Sequence, residues 1–151
     1  MGESGMFGNY TRTLDDKKRV MLPAKLRDKV GSHFYISLGP DGVFEIRDSS
    51  SFEVWKSKLL NANTLNKNAR SFARILLGNT IEVDLDKQGR LKFPEELSVQ
   101  LGVTKEITFV GVGNKVEIWP AEKFKIFQNS FSETDSLDSL AEKLLKDGVE
   151  L

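Results

Sequence analysis

Leu14-Asp15-Asp16-Lys17-Lys18-Arg19, with Pro23 and Leu26 after it, returns 71 residues later as Leu85-Asp86-Lys87-Gln88-Gly89-Arg90, with Pro94 and Leu97. Gly31 and Ile36 keep that shift at Gly102 and Ile107. After one inserted residue, Phe44-Glu45-Ile46 and Phe52 return as Val116-Glu117-Ile118 and Phe124, and upstream Gly8-Asn9 returns as Gly78-Asn79. A chain that repeats a unit of about 70 residues has to bury both copies in related ways, because one unit of that size covers its apolar face poorly alone. Only the polar turn Asp-x-x-x-Arg recurs as an unbroken signature, which makes it the first place to look for function.

Each copy reads the same way. In the first, a strand over 8–14, a tight turn at 15–18 and a second strand over 19–22 lead to Pro23, which suits the start of a short helix over 24–30 that Gly31 ends. A hairpin follows over 34–38 and 43–47 around Gly39-Pro40-Asp41-Gly42. The second copy gives a strand from Thr80, a turn at 86–89, a helix over 94–101 and a hairpin around 111–114. Two helices are expected between the copies, over 51–61 and 64–77. In the latter Leu65, Ala69, Phe72, Ala73 and Leu76 fall at helical spacing, which predicts one buried face. Pro120 opens a further helix to about Ser130. In the acidic tail, Leu137, Leu140, Leu144 and Leu145 form one stripe of a docking helix over 135–146. The organisation expected is a cloning remnant at 1–5, a first repeat at 6–50, connecting helices at 51–78, a second repeat at 79–130 and a tail at 131–151.

Zero net charge conceals an asymmetry. Residues 10–30 hold seven bases and three acids, whereas the equivalent window 81–101 holds three bases and five acids; the tail 132–151 has six acids and two lysines. Attraction to phosphate is the sequence-independent part of nucleic-acid affinity, and the first copy offers it. The absence of cysteine excludes disulfides, thiol catalysis and Cys-based zinc sites. A lone histidine, His33, reads as a polar residue in a helix-to-strand loop rather than a metal ligand. No apolar run approaches the eighteen or so residues of a membrane span, so a soluble chain is expected, with no cofactor, no metal and no small-molecule substrate.

Across a tight turn, the Asp carboxylate accepts backbone N–H groups of the turn it opens. The Arg four residues on pairs with that carboxylate or with a partner. A rigid turn with a guanidinium at its edge can bond O6 and N7 of guanine in the major groove, while nearby lysines meet phosphates. The blander alternative is that Asp and Arg only staple the turn. The basic surroundings favour DNA reading for Asp15 and Arg19, with Lys17, Lys18, Lys25 and Arg27 nearby. The acidic surroundings favour turn organisation for Asp86 and Arg90.

Leu-Asp-x-x-x-Arg followed by Pro23-Ala24-Lys25-Leu26-Arg27 resembles the looped-hinge element of AbrB-type regulators. Two such units, with Arg74-Ile75-Leu76-Leu77-Gly78 before the second and Val110-Gly111 and Asn114-Lys115-Val116-Glu117-Ile118-Trp119 near its end, closely resemble the MraZ family from Met6-Phe7 to about Phe131. The resemblance implies a β-rich α+β fold of two tandem swapped-hairpin AbrB-like halves related by pseudo-twofold symmetry, with connecting helices and a C-terminal helix. It implies a closed homo-oligomeric ring, an octamer by analogy, and a cytoplasmic, nucleoid-associated regulator. Such a regulator binds short direct repeats in double-stranded DNA upstream of its own division and cell-wall gene cluster. The family's motif residues fall on Asp15 and Arg19, on Asp86 and Arg90, and its helix arginine on Arg27. One departure stands out: where the second copy has Gly89, the first has Lys18. If the position requires positive φ, either the first turn is of another type or strain is accepted for an added cation.

Other candidates carry less. Gly111-Val112-Gly113-Asn114 lies between strands and reads as a hairpin turn rather than a nucleotide fingerprint. Glu45 and Glu117 read as solvated or interface charges in alternating strands, and Lys67, Arg70 and Arg74 as a solvated helix face. Mg²⁺ at Asp15-Asp16 is opposed by Lys17-Lys18-Arg19. Trp55 and Trp119 suit a core or an interface better than base stacking. The rival reading is a ring-forming structural or scaffold protein with incidental DNA affinity. A hydrolase is disfavoured because no nucleophile, base and orienting group occur together.

Overall fold

The structure is a computed structural model that describes residues 5–62, 65–102, 105–131 and 136–150. The chain divides into two compact units, Met1–Pro120 and Ala121–Leu151. In the first, each copy contributes two strands, a seven-residue helix and a hairpin. They are β1 (Met6–Thr13), β2 (Arg19–Met21), α1 (Ala24–Val30), β3 (His33–Leu38) and β4 (Phe44–Arg47), then α2 (Ser49–Leu60) and α3 (Lys67–Gly78). The second copy follows with β5 (Ile81–Asp84), β6 (Arg90–Lys92), α4 (Glu95–Leu101), β7 (Glu106–Gly113) and β8 (Val116–Pro120). The second unit holds α5 (Ala121–Ser130) and α6 (Ser136–Lys146).

The fold is strand-rich α+β, with antiparallel sheets, as expected. One sheet has the order β1-β7-β8-β4-β3-β5, and β2 pairs with β6 in a separate ribbon. Replacing each strand by its counterpart in the other copy gives the same order reversed, the mark of a pseudo-twofold axis. The first strand of each copy leaves its own hairpin to pair with the other's: Met6 to Thr13 with Gly113 to Glu106, and Ile81 to Asp84 with Ile36 to His33. Two cross-strand pairs lie on the axis, Val20 with Leu91 and Glu45 with Glu117. Neither copy therefore closes its own core.

That core is made by both copies at once. Val20, Leu22, Leu26, Phe34, Ile36 and Phe44 meet Leu91, Phe93, Leu101, Ile107, Phe109 and Ile118, all buried in one cluster. Each such side chain contributes about 1.5–3 kcal/mol on burial. Pro23 and Pro94 occupy the N-caps of α1 and α4, and Gly31 and Gly102 their C-caps. One equivalence read from the sequence is corrected. Leu14 N–H donates to Lys105 O and Leu85 N–H to Ser32 O, which makes Ser32 the counterpart of Lys105, two residues beyond the 71-residue shift. Ile36 thus corresponds to Phe109, and Phe34 to Ile107.

Three further expectations change. The helix over 64–77 begins at Lys67, and its apolar face is not buried: Leu65 lies outside the helix and is exposed, Phe72 and Ile75 are exposed, and Ala69, Ala73 and Leu76 are half-buried. The start of that expected helix, Thr64, lies outside the described residues, as does Asp135 at the start of the tail helix. Glu45 is buried, not solvated, because α2 packs over β3 and β4 and all four residues of β4 are covered. Its carboxylate takes Arg47 Nη2 at 2.8 Å and the Lys115 ammonium, while Glu117 accepts from Trp119 Nε1 at 3.1 Å. Arg47 also lies 4.4 Å over the Trp55 ring, so Trp55 is a half-buried packing residue as expected. The hairpin at 111–114 is present: β7 runs through Gly113, Asn114 and Lys115 lead into β8, and Val112 N–H donates to Lys115 O across the turn.

His33 is not a loop residue. It opens β3, with Nδ1 2.8 Å from Asp84 Oδ1 and Nε2 2.9 Å from Glu82 Oε2. Both carboxylates come from the second copy's first strand, so the ring clasps the exchange; at the related edge the counterpart is Glu106 opposite Thr13. The Asp84 hydrogen bond, with both carboxylate charges, raises the His33 pKa above its ordinary 6.5. A group with a raised folded pKa adds stability that is full below its unfolded pKa and is lost as pH rises through the folded one. The urea midpoint should therefore fall as pH rises above 6.5 through the raised pKa in the native chain, and His33→Gln should flatten that segment. An identical slope in both proteins would show that the clasp contributes nothing.

Candidate nucleic-acid interface

The two Asp-x-x-x-Arg turns are built alike to within tenths of an ångström. Asp15 Oδ1 accepts the N–H of Lys17 at 2.9 Å and of Arg19 at 2.8 Å, and its Oδ2 takes Arg19 Nε at 2.8 Å. Asp86 repeats this with Gln88 N–H and Arg90 N–H, each at 2.9 Å, and Arg90 Nε at 2.7 Å. In both turns the backbone N–H of the fourth residue, Lys18 or Gly89, closes on the Asp carbonyl. The backbone N–H of the arginine, its guanidinium and the turn's other N–H hold each Asp carboxyl below its usual pKa, so both staples are charged at neutral pH. The staple is therefore common to both copies, and it does not separate them. Because it engages Nε, the Nη groups of Arg19 are left for another acceptor.

Lys18 settles the question of turn type. Its φ is +61°, against +80° at Gly89, so the first turn keeps the geometry of the second. A side chain in that region costs roughly 1–2 kcal/mol. The cost is tolerated because the staple and the ribbon fix the position from both sides: Lys18 O accepts Phe93 N–H at 2.7 Å.

The basic residues do not form one cluster. Lys17, Lys18 and Arg19 lie on the first turn, Lys17 exposed and the other two half-buried. Lys25 instead lines a cleft of about 440 Å³ with Met6, Phe7, Tyr10 and Leu26. Arg27 leaves its own copy and lies against the second turn, where a Cβ on Gly89 would stand 2.1 Å from its Nη1. Sequence reasoning missed that crossing, although a paired signal was present: at the 71-residue shift Lys18 answers to Gly89, and Arg27 answers to Ser98. Among the described residues no group of His, Asp and Glu has the arrangement to hold a metal ion, and no helix is long and apolar enough to cross a membrane.

Comparison with known proteins agrees with this geometry. The family described as "MraZ protein, putative antitoxin-like" matches twice in tandem, at residues 6–75 and 76–147. A protein of Mycoplasmopsis pulmonis named "Transcriptional regulator MraZ" is 43% identical over 145 residues, 96% of this chain and 98% of its own. Proteins of the same name from Mesomycoplasma hyopneumoniae (strain 7448) and Clostridium beijerinckii are each 39% identical, over 97% and 94% of this chain and 100% and 98% of their own. These relatives bear the name of regulators rather than enzymes. A doubled family match, a strand exchange about one axis and two superposable stapled turns have a single common account: the chain belongs to the MraZ family.

Proposed function

We propose that this chain is a sequence-specific DNA-binding transcription regulator of the cytoplasm and nucleoid, which reads short direct repeats upstream of its own division and cell-wall gene cluster. The observation that carries the reading is the first turn: a charged Asp15 staple presents Arg19 beside Lys17 and Lys18 in a window with an excess of four bases. In this reading Arg19 addresses a guanine edge. Lys17, Lys18, Lys25 and Arg27 meet phosphates, and Asp15, Asp86 and Arg90 organise turns. The halves at 6–50 and 79–130 make one reading head, joined by 51–78. The protomers assemble into a closed ring, taken as eight by family analogy. The exposed apolar side chains Phe72 and Ile75 on α3, and Leu137 and Leu145 on α6, support assembly, since apolar faces of helices are normally covered.

Binding of the duplex upstream of the gene, measured by fluorescence anisotropy beside a scrambled duplex, tests the reading. Arg19→Ala should abolish discrimination between the two, losing about 1–3 kcal/mol per repeat contacted. Arg90→Ala should leave the discrimination ratio intact. Equal loss of discrimination from both substitutions, in folded protein, would mean that the first turn has no special role.

A further inference from the structure

The chain has no cysteine, so its oxidisable sulfur rests in three methionines. Met1 lies outside the described residues, Met6 is buried in the core at 7% exposure, and Met21, which ends β2, is 41% exposed. Among the described residues Met21 therefore presents the accessible thioether. It has a cation for a neighbour: Arg27 Nη1 donates to Met21 Sδ at 3.9 Å, from a helix that begins three residues further on. A thioether is a weak acceptor, so Arg27 is touched at this point without being held. The other half lacks the pair. At the 71-residue shift Lys92 answers to Met21 and Ser98 to Arg27, so neither the sulfur nor the guanidinium is repeated.

From this contact we infer that Met21 is a reversible oxidation site, whose sulfoxide captures Arg27 and so weakens the grip on DNA. The effect on DNA rests on the DNA-binding reading above; the capture of Arg27 does not. The oxidant is a peroxide. A lone pair of Met21 Sδ attacks one peroxide oxygen, and the S–O bond forms as the O–O bond breaks. The departing hydroxide takes the proton of the transferred oxygen and leaves as water. Sulfur has then lost two electrons and the peroxide has gained them. A weak acceptor has become a polar S=O group beside a guanidinium. The 3.9 Å between Sδ and Nη1 leaves space for an oxygen bonded to sulfur within hydrogen-bond range of Nη1. That bond is charge-assisted, and the donor engaged in it is lost to a phosphate. Met6 carries the same chemistry behind the core and is shielded from it. Methionine sulfoxide reductases, one for each sulfoxide epimer, reverse the change.

The test treats the full folded chain with hydrogen peroxide and maps the added oxygen by peptide mass. Met21 should oxidise well ahead of Met6; equal rates would show that exposure does not select the site. Equilibrium binding to the upstream and scrambled duplexes is then compared before and after. The oxidised chain should bind both more weakly by the same factor, about 3- to 10-fold, as expected when a phosphate contact rather than a base contact is weakened. Treatment with both reductases should restore the affinity. Met21→Leu, a change that keeps the volume, should bind as the native chain does and lose nothing on oxidation. Arg27→Ala should start weaker and lose nothing further. An undiminished affinity of the oxidised native chain, or an equal further loss in oxidised Arg27→Ala, would overturn the inference. A measurement without DNA keeps it separate from the reading it rests on: the reductases should clear the Met21 sulfoxide more slowly from the native chain than from Arg27→Ala, because the guanidinium holds the oxygen. A reduced chain that binds no duplex would remove the DNA-binding reading, and the reduction rates would still decide whether the sulfoxide captures Arg27.

Discussion

Operators that carry several repeats at the native spacing should bind about 10²- to 10⁴-fold more tightly than one isolated repeat, and inserting half a helical turn between repeats should remove most of that gain. A single turn with one arginine and a few lysines addresses only a few base pairs, so one protomer contributes a modest, largely electrostatic affinity. In the proposed ring, protomers would repeat the turn at fixed intervals, and each contact would raise the effective concentration for the next. Duplex DNA is stiff on this scale, so following a closed ring requires bending of the DNA or distortion of the ring. Gel-shift titration with one to four repeats, alongside light scattering of the free protein, checks both parts. Equal affinity for one repeat and four, or a monomer in solution at micromolar concentration, would end the cooperative account.

Glu45→Ala should destabilise the fold by about 3–5 kcal/mol, the usual consequence of removing one member of a buried ion pair. For a chain of this size that corresponds to a fall in Tm of roughly 6–20 °C. Glu45 is 2% exposed and is the acceptor for both Arg47 and Lys115. Arg47 Nη1 already has no hydrogen-bond partner, so losing the carboxylate leaves a buried guanidinium with no acceptor among the described residues. Glu117, its partner on the axis, is half-buried and bound to Trp119, so Glu117→Ala should cost about 1 kcal/mol. Calorimetry on the pair decides the matter: matching shifts would show that the cluster at Glu45 adds no stability.

The parts of this fold that were legible in the sequence are those set by local chemistry. Asp15 and Asp86 mark their turns because a carboxylate that opens a polar turn accepts the backbone N–H groups of the residues after it. Pro23 with Gly31, and Pro94 with Gly102, bracket their helices for equally local reasons. The misaligned Ile36 shows where such reading ends. Shifts of 71 and 73 residues differ by two, and a strand pattern of period two looks the same under both. Only the hydrogen bonds of Leu14 and Leu85 reveal the two extra residues. The apolar spacing of α3 predicts a buried face, yet such spacing states that a face is to be covered, not by which surface, and here it is open. Glu45 and Arg27 were misread for a third reason. The burial of Glu45 and the reach of Arg27 are created by the other copy or by α2, across sequence separations that no periodicity encodes.

The strand exchange also bears on how the chain is made. During synthesis the first copy emerges without the strands that complete it, since β1 waits for β7 and β3 waits for β5. Two such half-made chains on neighbouring ribosomes present the same exchangeable strands to each other, which is the usual route to domain-swapped misassembly. Their windows at 10–30 each carry an excess of four positive charges and repel, whereas the matching window of the later copy carries an excess of two negative charges and attracts. The divergence in charge between the copies thus acts in the same direction as the exchange: it disfavours pairing of two first copies and favours pairing of a first copy with a second.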